Sequence, residues 1–218
     1  GLAASRPFGA GARRITGFSC DCKPGLPSPR HAASLPLRVV RVRQEAMADW
    51  EISSERLMIR PMQVADAVNW HRVRAAAPFD PLARSVEESI ALITAMQNRA
   101  APDSDGWQQF AIMAHDGRYM GDLGLRFSPP WNATCEIAFA VDPSLHGRGI
   151  ASEATGAMIA RLFTAGRRRI VAITDSRNRP AQRVLERNWF RLEGRFVESW
   201  REGDAWYDEL SYARLAKD

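Results

Sequence analysis

The stretch from Val141 to Ala154 constrains this chain more than any other. An alternating apolar run enters it, and a run of helical period leaves it through Ala151, Ser152, Glu153 and Ala154. Between them lies Asp142-Pro143-Ser144-Leu145-His146-Gly147-Arg148-Gly149-Ile150. Pro143 cannot donate to a strand ladder, so the strand ends at Asp142. Two glycines one residue apart then remove side chains where the helix begins. The first amides of a helix have no intrahelical partner and carry the positive end of its macrodipole. A backbone bared by glycine lets an anion approach them, which suits a pyrophosphate. Arg148 adds a full positive charge. The plainer alternative is a tight turn that uses glycine only for its φ freedom. The stretch lacks the lysine and hydroxyl of a P-loop, and it has too few glycines for a dinucleotide fingerprint.

Composition narrows what can surround that turn. With 218 residues and 45% apolar content, the chain can bury one ordinary core and carry an appendage. No apolar run approaches the roughly 18 residues of a membrane span, so no membrane role is expected. Cys20, Cys22 and Cys135 make neither a disulfide framework nor a zinc spacing, and the four histidines are scattered. No metal is expected, and the default compartment is the reducing cytoplasm. The net charge of +5 is unevenly placed. Residues 1–46 hold eight Lys/Arg against two acids, whereas residues 47–218 hold 22 against 23. A near-neutral folded part gives no support to nucleic-acid binding.

Residues 1–46 have no apolar period and contain Pro24, Pro27, Pro29 and Pro36. They read as a disordered basic leader, as a transit peptide, or as sequence upstream of a true start at Met47. The last is preferred here, and 47–218 is taken as the folded domain. Within it Leu57–Pro61 is a short strand. Val64 to about Ala76 reads as a helix with Val64, Ala67, Val68 and His71 on one face. Ser85 and Glu88 have capping-box spacing and open a second helix with Val86, Ile90 and Ile93 inward. Trp107–His115 and Arg118–Phe127 form a hairpin, for which Asp116-Gly117 is a two-residue turn signal. Thr134–Val141 is the clearest strand, with Cys135, Ile137, Phe139 and Val141 on one face and Glu136, Ala138 and Ala140 on the other. Ala151–Ala165 is a helix ended by Gly166, and Arg167-Arg168-Arg169 beyond it is taken as a solvated cluster. Ile170–Thr174 is a buried strand, Asn178-Arg179-Pro180 opens a helix, and 190–214 is a final hairpin.

This order, with His146-Gly147-Arg148-Gly149-Ile150-Ala151, resembles the GNAT superfamily of acyl-CoA-dependent N-acyltransferases. More narrowly it resembles the branch containing the ribosomal-protein N-terminal acetyltransferases. The resemblance is carried by Glu136-Ile137-Ala138-Phe139, by His146 through Ala154, by Asn178-Arg179-Pro180-Ala181 and by Leu185 through Phe190. It implies an α/β (α+β) fold: a mixed, mostly antiparallel sheet of about seven strands flanked by about four helices. The chain departs from the branch at His146 (usually Arg or Gln), Ala181 (usually Ser) and Trp189 (usually Gly). Trp189 is expected to narrow or reshape the neighbouring pocket.

The resemblance further implies direct attack of a primary amine on the thioester of acetyl-CoA, in a ternary complex. The cofactor-binding residues would be His146, Gly147, Arg148, Gly149, Ile150, Ala151 and Ser152 around the pyrophosphate. Ala140 and Val141 would pair through their main chain with the pantetheine arm, and Asn178 would contact it. Glu136 would be the general base, directly or through water. The competing reading is a structural glutamate paired with an arginine such as Arg126. Tyr207 and Tyr212 are read as packing residues, Asp208 as structural, and Cys135 as too buried in apolar surroundings for a ping-pong route. The partners would be acetyl-CoA and an amine acceptor, either a protein N-terminus or a small molecule, with the chain a monomer or homodimer. The missing serine leaves an alternative: a catalytically weak acyl-CoA-binding module.

Overall fold

Strict alternation in the sequence becomes the middle of the sheet. The computed structural model describes residues 50–79, 85–98, 106–127 and 133–218, all within the unit Arg43–Asp218. The leader, with Cys20 and Cys22, lies outside the described residues. In chain order the strands and helices are β1 (Ile52–Ser53), β2 (Leu57–Pro61), α1 (Ala67–Ala75), α2 (Val86–Gln97), β3 (Trp107–Ala114), β4 (Tyr119–Phe127) and β5 (Thr134–Val141). There follow α3 (Ile150–Thr164), β6 (Arg169–Asp175), α4 (Arg179–Arg187), β7 (Arg191–Glu202) and β8 (Ala205–Leu215). The eight strands form one sheet in the order β1-β2-β3-β4-β5-β6-β8-β7. Every neighbouring pair is antiparallel except β5–β6. The strand beyond the expected seven is β1, two residues long and too short to show a period.

α3 covers one face of the sheet. Its Ile150, Ala154, Met158 and Leu162 join Cys135 and Ile137 in the main core, with Phe139 and Val141 packed against it. Each such large apolar side chain, fully buried, contributes about 1.5–3 kcal/mol. α3 ends in a Schellman motif, in which Arg167 N–H donates to the Leu162 carbonyl and Gly166 N–H to that of Phe163, both at 3.0 Å. Gly166 supplies the positive φ of 81°.

α1 covers the opposite face, and here the expected register is corrected. Val64–Asp66 is a separate 3-10 turn, and Val64 and Val68 are exposed. The buried face is Ala67, Trp70, Val73 and Arg74. Periodicity alone discounts an arginine as inward, but Arg74 meets Asp122 of β4 in a buried ion pair. On α2 the Ser85–Glu88 capping box is present, yet Ser89, Ile93 and Met96 face inward and Ile90 does not. The Asp116-Gly117 hairpin is a three-residue loop rather than a two-residue one. Gly117 N–H and Ala114 N–H close it, onto Ala114 and Arg118 carbonyls, and Gly117 sits at φ 87°. Arg167 is also not solvated: it is buried, with its guanidinium 4.7 Å from the Phe127 ring centroid.

Candidate active site

β5 and β6 begin side by side and then separate. Their register runs Thr134 opposite Arg169, Cys135 opposite Ile170 and Glu136 opposite Val171, and stops there. Yet β5 continues to Val141 and β6 to Asp175. The far halves of the two strands therefore flank a gap with an unpaired backbone edge. Glu136 stands at the point of divergence, and the glycine loop follows the end of β5.

Two hydrogen bonds identify which residues of β5 face that gap. Asp142 N–H donates to the Met120 carbonyl on the β4 side (3.0 Å), and the Ala133 carbonyl accepts from Arg168 N–H on the β6 side (2.8 Å). Main-chain groups of successive strand residues point to alternate sides. Ala140 is thus turned toward β4, and its carbonyl oxygen lies 2.3 Å from where a Cβ on Gly121 would be. Phe139 and Val141 present their N–H groups to the gap. Phe139 is missed by sequence reasoning, which has no access to ladder register. The Val141 carbonyl on that edge accepts a hydrogen bond from His146 Nε2 at 2.9 Å. His146 thus folds the loop back onto the strand that precedes it.

The loop is shaped by its own chemistry. Asp142 caps the short turn Pro143–Leu145, accepting from Ser144 N–H (3.0 Å) and Oγ–H (2.7 Å) and from Arg72 of α1 (2.6 Å). Hydrogen bonding from Ser144, then Arg72, outweighs burial and holds the Asp142 carboxyl below its ordinary range. Gly147 and Gly149 have φ of 78° and 77°. The turn itself requires both, and Gly149 is the N-cap residue of α3. Glu153 N–H bonds back to the Gly149 carbonyl at 3.0 Å. The amides of Ile150, Ala151 and Ser152 come before it and have no partner within the helix. Ser152 Oγ is buried without a hydrogen-bond partner. Arg148 is exposed.

The other named residues take these positions. Asn178 caps α4, accepting from Ala181 N–H at 3.1 Å through Oδ1. Glu136 is half-buried on the α1 side of β5 and is ion-paired with Arg126 of β4. Cys135, on the other side, is fully buried. Asp208 accepts from Arg195 (2.6 Å) and from Glu198 N–H (2.8 Å), which pins an irregular stretch of the final hairpin. Tyr212 is in the core. At the far end of β6, Asp175 holds Arg177, which lies 3.3 Å from the Tyr207 ring centroid and 5.7 Å from that of Phe79. Trp189 does not fill a pocket. It is 76% exposed, at φ 61°, in the left-handed position of a second Schellman motif. There Phe190 N–H donates to Leu185 and Trp189 N–H to Glu186. Among the described residues no group of His, Cys, Asp and Glu could hold a metal, and no helix is long and apolar enough to cross a membrane.

An open sheet parted between two parallel strands, with a glycine turn and a helix start at the mouth of the gap, defines an acyltransferase scaffold. The chain belongs to the acetyltransferase (GNAT) domain family, whose model matches residues 56–191, and it is an acyltransferase. It is 25% identical over 171 residues to the uncharacterized N-acetyltransferase YnaD of Bacillus subtilis, covering 77% of this chain and 98% of that one. It is 31% identical over 111 residues to the ribosomal-protein-serine acetyltransferase of Escherichia coli, covering 50% and 62%. Mycobacterium smegmatis RimJ, solved in complex with a CoA-disulfide, superposes with a TM-score of 0.64 at 25% identity, covering 74% and 82%. These relatives support the RimJ/RimL-like branch that the motifs resemble.

Proposed function

We propose that the chain transfers an acetyl group from acetyl-CoA to a primary amine by direct attack in a ternary complex. The observation that carries this reading is the gap between β5 and β6, which opens at Glu136 and ends at the bared start of α3. The residues present fit the donor. The amides of Arg148 through Ser152, beside the positive turns at Gly147 and Gly149, suit a diphosphate. The free edge of β5 suits the amide groups of a pantetheine arm, with Phe139 and Val141 rather than Ala140 as its main-chain partners. His146 keeps the loop against that edge, and Asn178, whose Oδ1 is engaged by its own helix, offers its Nδ2 from the opposite wall.

The attacking amine must be neutral. Glu136 accepts its proton, directly or through one water, and Arg126 orients the carboxylate. The nitrogen adds to the thioester carbonyl, and a main-chain N–H on the open edge of β5 stabilises the oxyanion. The added nitrogen gives up its remaining extra proton to solvent as the C–S bond breaks, leaving the neutral N-acetyl product and a CoA thiolate that solvent protonates. Cys135 is buried on the wrong side of the strand to carry an acyl group, which favours the single-displacement route. The acceptor is a protein N-terminus or a small amine, and similarity to a ribosomal-protein-serine acetyltransferase is a reason to screen N-terminal peptides first.

The test is CoA-thiol release over a panel of N-terminal peptides, polyamines and amino sugars. Release that requires an amine is expected, and Glu136→Gln should lower turnover by roughly 100-fold or more at neutral pH with acetyl-CoA affinity retained. A Gln variant with undiminished turnover at every pH removes Glu136 from the mechanism. Binding of acetyl-CoA without release on any amine contradicts the transfer reaction.

A further inference from the structure

The turn joining β1 to β2 reaches across to the start of α3, and the contact is denser than an exposed ion pair. Glu153, in the first turn of α3, accepts from Ser54 Oγ–H at 2.8 Å and from Arg56 main-chain N–H at 2.9 Å, both through Oε1. Its Oε2 accepts from Arg56 Nε at 2.6 Å and lies 2.6 Å from Nη2. The remaining arm of the same guanidinium, Nη1, donates to the Arg148 carbonyl at 3.1 Å. Arg56 Nη2 is also 3.5 Å from where a Cβ on Gly149 would lie. One planar fork thus grips both the helix and the peptide between the two positive-φ glycines.

The electrostatics give this grip a purpose. A bare carboxylate in the first turn of α3 would stand close to any anion bound at the same helix start and repel it. Burial pushes the Glu153 carboxyl up, but the hydrogen bonds from Arg56 and Ser54 outweigh it and keep the group ionised. Arg56 cancels that charge locally. Its hold on the Arg148 carbonyl also turns that oxygen away, so that the peptide edges facing an incoming anion are N–H groups. Lysine could supply the charge but not the forked, planar geometry.

We infer that Arg56 is a positioning residue for the diphosphate of the acyl-CoA donor, acting through Glu153 and the Arg148 carbonyl. The inference rests on the donor assignment made above. It predicts a phosphate-dependent defect. CoA and pantetheine, which lacks every phosphate, are titrated into the full chain and into Arg56→Ala and Arg56→Lys, with melting curves as the control for folding. For the unaltered chain CoA should bind far more tightly than pantetheine. If the two bind alike, the donor assignment itself fails, and Arg56 is not what is being judged. Given that difference, Arg56→Ala should weaken CoA by on the order of tenfold, as for loss of charge-assisted hydrogen bonds. Pantetheine affinity should not change, and lysine should restore only part of the loss. Dephospho-CoA should show the same defect, since it keeps the diphosphate. A folded Arg56→Ala chain that binds CoA normally, or that loses CoA and pantetheine equally, overturns the inference. So does a defect that vanishes with dephospho-CoA, which would move the effect to the 3′-phosphate.

Discussion

Trp189 carries an indole on a backbone at φ 61°, a position where side chains with a Cβ are strained. The left-handed conformation costs about 1–2 kcal/mol for such a residue. Glycine gives back about 0.5–1 kcal/mol through its freer unfolded chain. Because the indole is mostly exposed, little packing is lost on removing it. Trp189→Gly should therefore stabilise the fold by about 0.5–1 kcal/mol, read as a higher denaturation midpoint at an unchanged slope. A destabilised variant would mean that the indole's packing within the chain outweighs the strain of its backbone. The same residue marks a limit of sequence reading. A tryptophan in place of glycine looks like a pocket change, and only the backbone reveals a helix end. Glu136 shows the converse, since its face and its pairing with Arg126 both follow from alternation along neighbouring strands. Arg56 left no such signal. It lies 97 residues from Glu153, and no periodicity links a turn to a distant helix start.

Elements were legible where a period was long or a stop signal sharp. β5, α3 and the capping box of α2 stand close to their expected places because alternation, helical spacing and glycine agree there. α1 was legible as a helix but not in its facing. Its inward positions include Arg74, whose burial depends on Asp122, 48 residues further along the chain. The joint between the β1–β2 turn and α3 belongs to this scale, and it should respond to acid. The Glu153 carboxyl is held below its ordinary value of 4.5 in the folded chain. Its stabilising contribution is complete above that value and is lost as pH falls through the lower, folded one. Glu153→Gln should thus be less stable than the unaltered chain at neutral pH and should lose less on acidification below about pH 4.5. Parallel stability–pH curves for the two chains would show that the joint adds nothing to folding.

At the scale of the whole molecule, one departure from regular pairing organises the site. Of the seven neighbouring strand pairs among the described residues, β5–β6 alone is parallel, and its ladder stops at Glu136 while both strands run on. The sheet order that places β8 next to β6 buries the far side of β6 and leaves its other edge to the gap. Alternation and the crossover helix α3 made a parallel neighbour for β5 foreseeable, but the residue at which the ladder stops is a matter of register and twist that no local pattern encodes. The account stands on what occupies that opening. A crystal structure of the chain with CoA tests it most directly. The predicted result is a pantetheine arm lying between β5 and β6, hydrogen-bonded to the main chain of Phe139 and Val141, with its diphosphate on the amides of Arg148 through Ser152. CoA bound elsewhere, with the β5–β6 gap closed or empty, would contradict it.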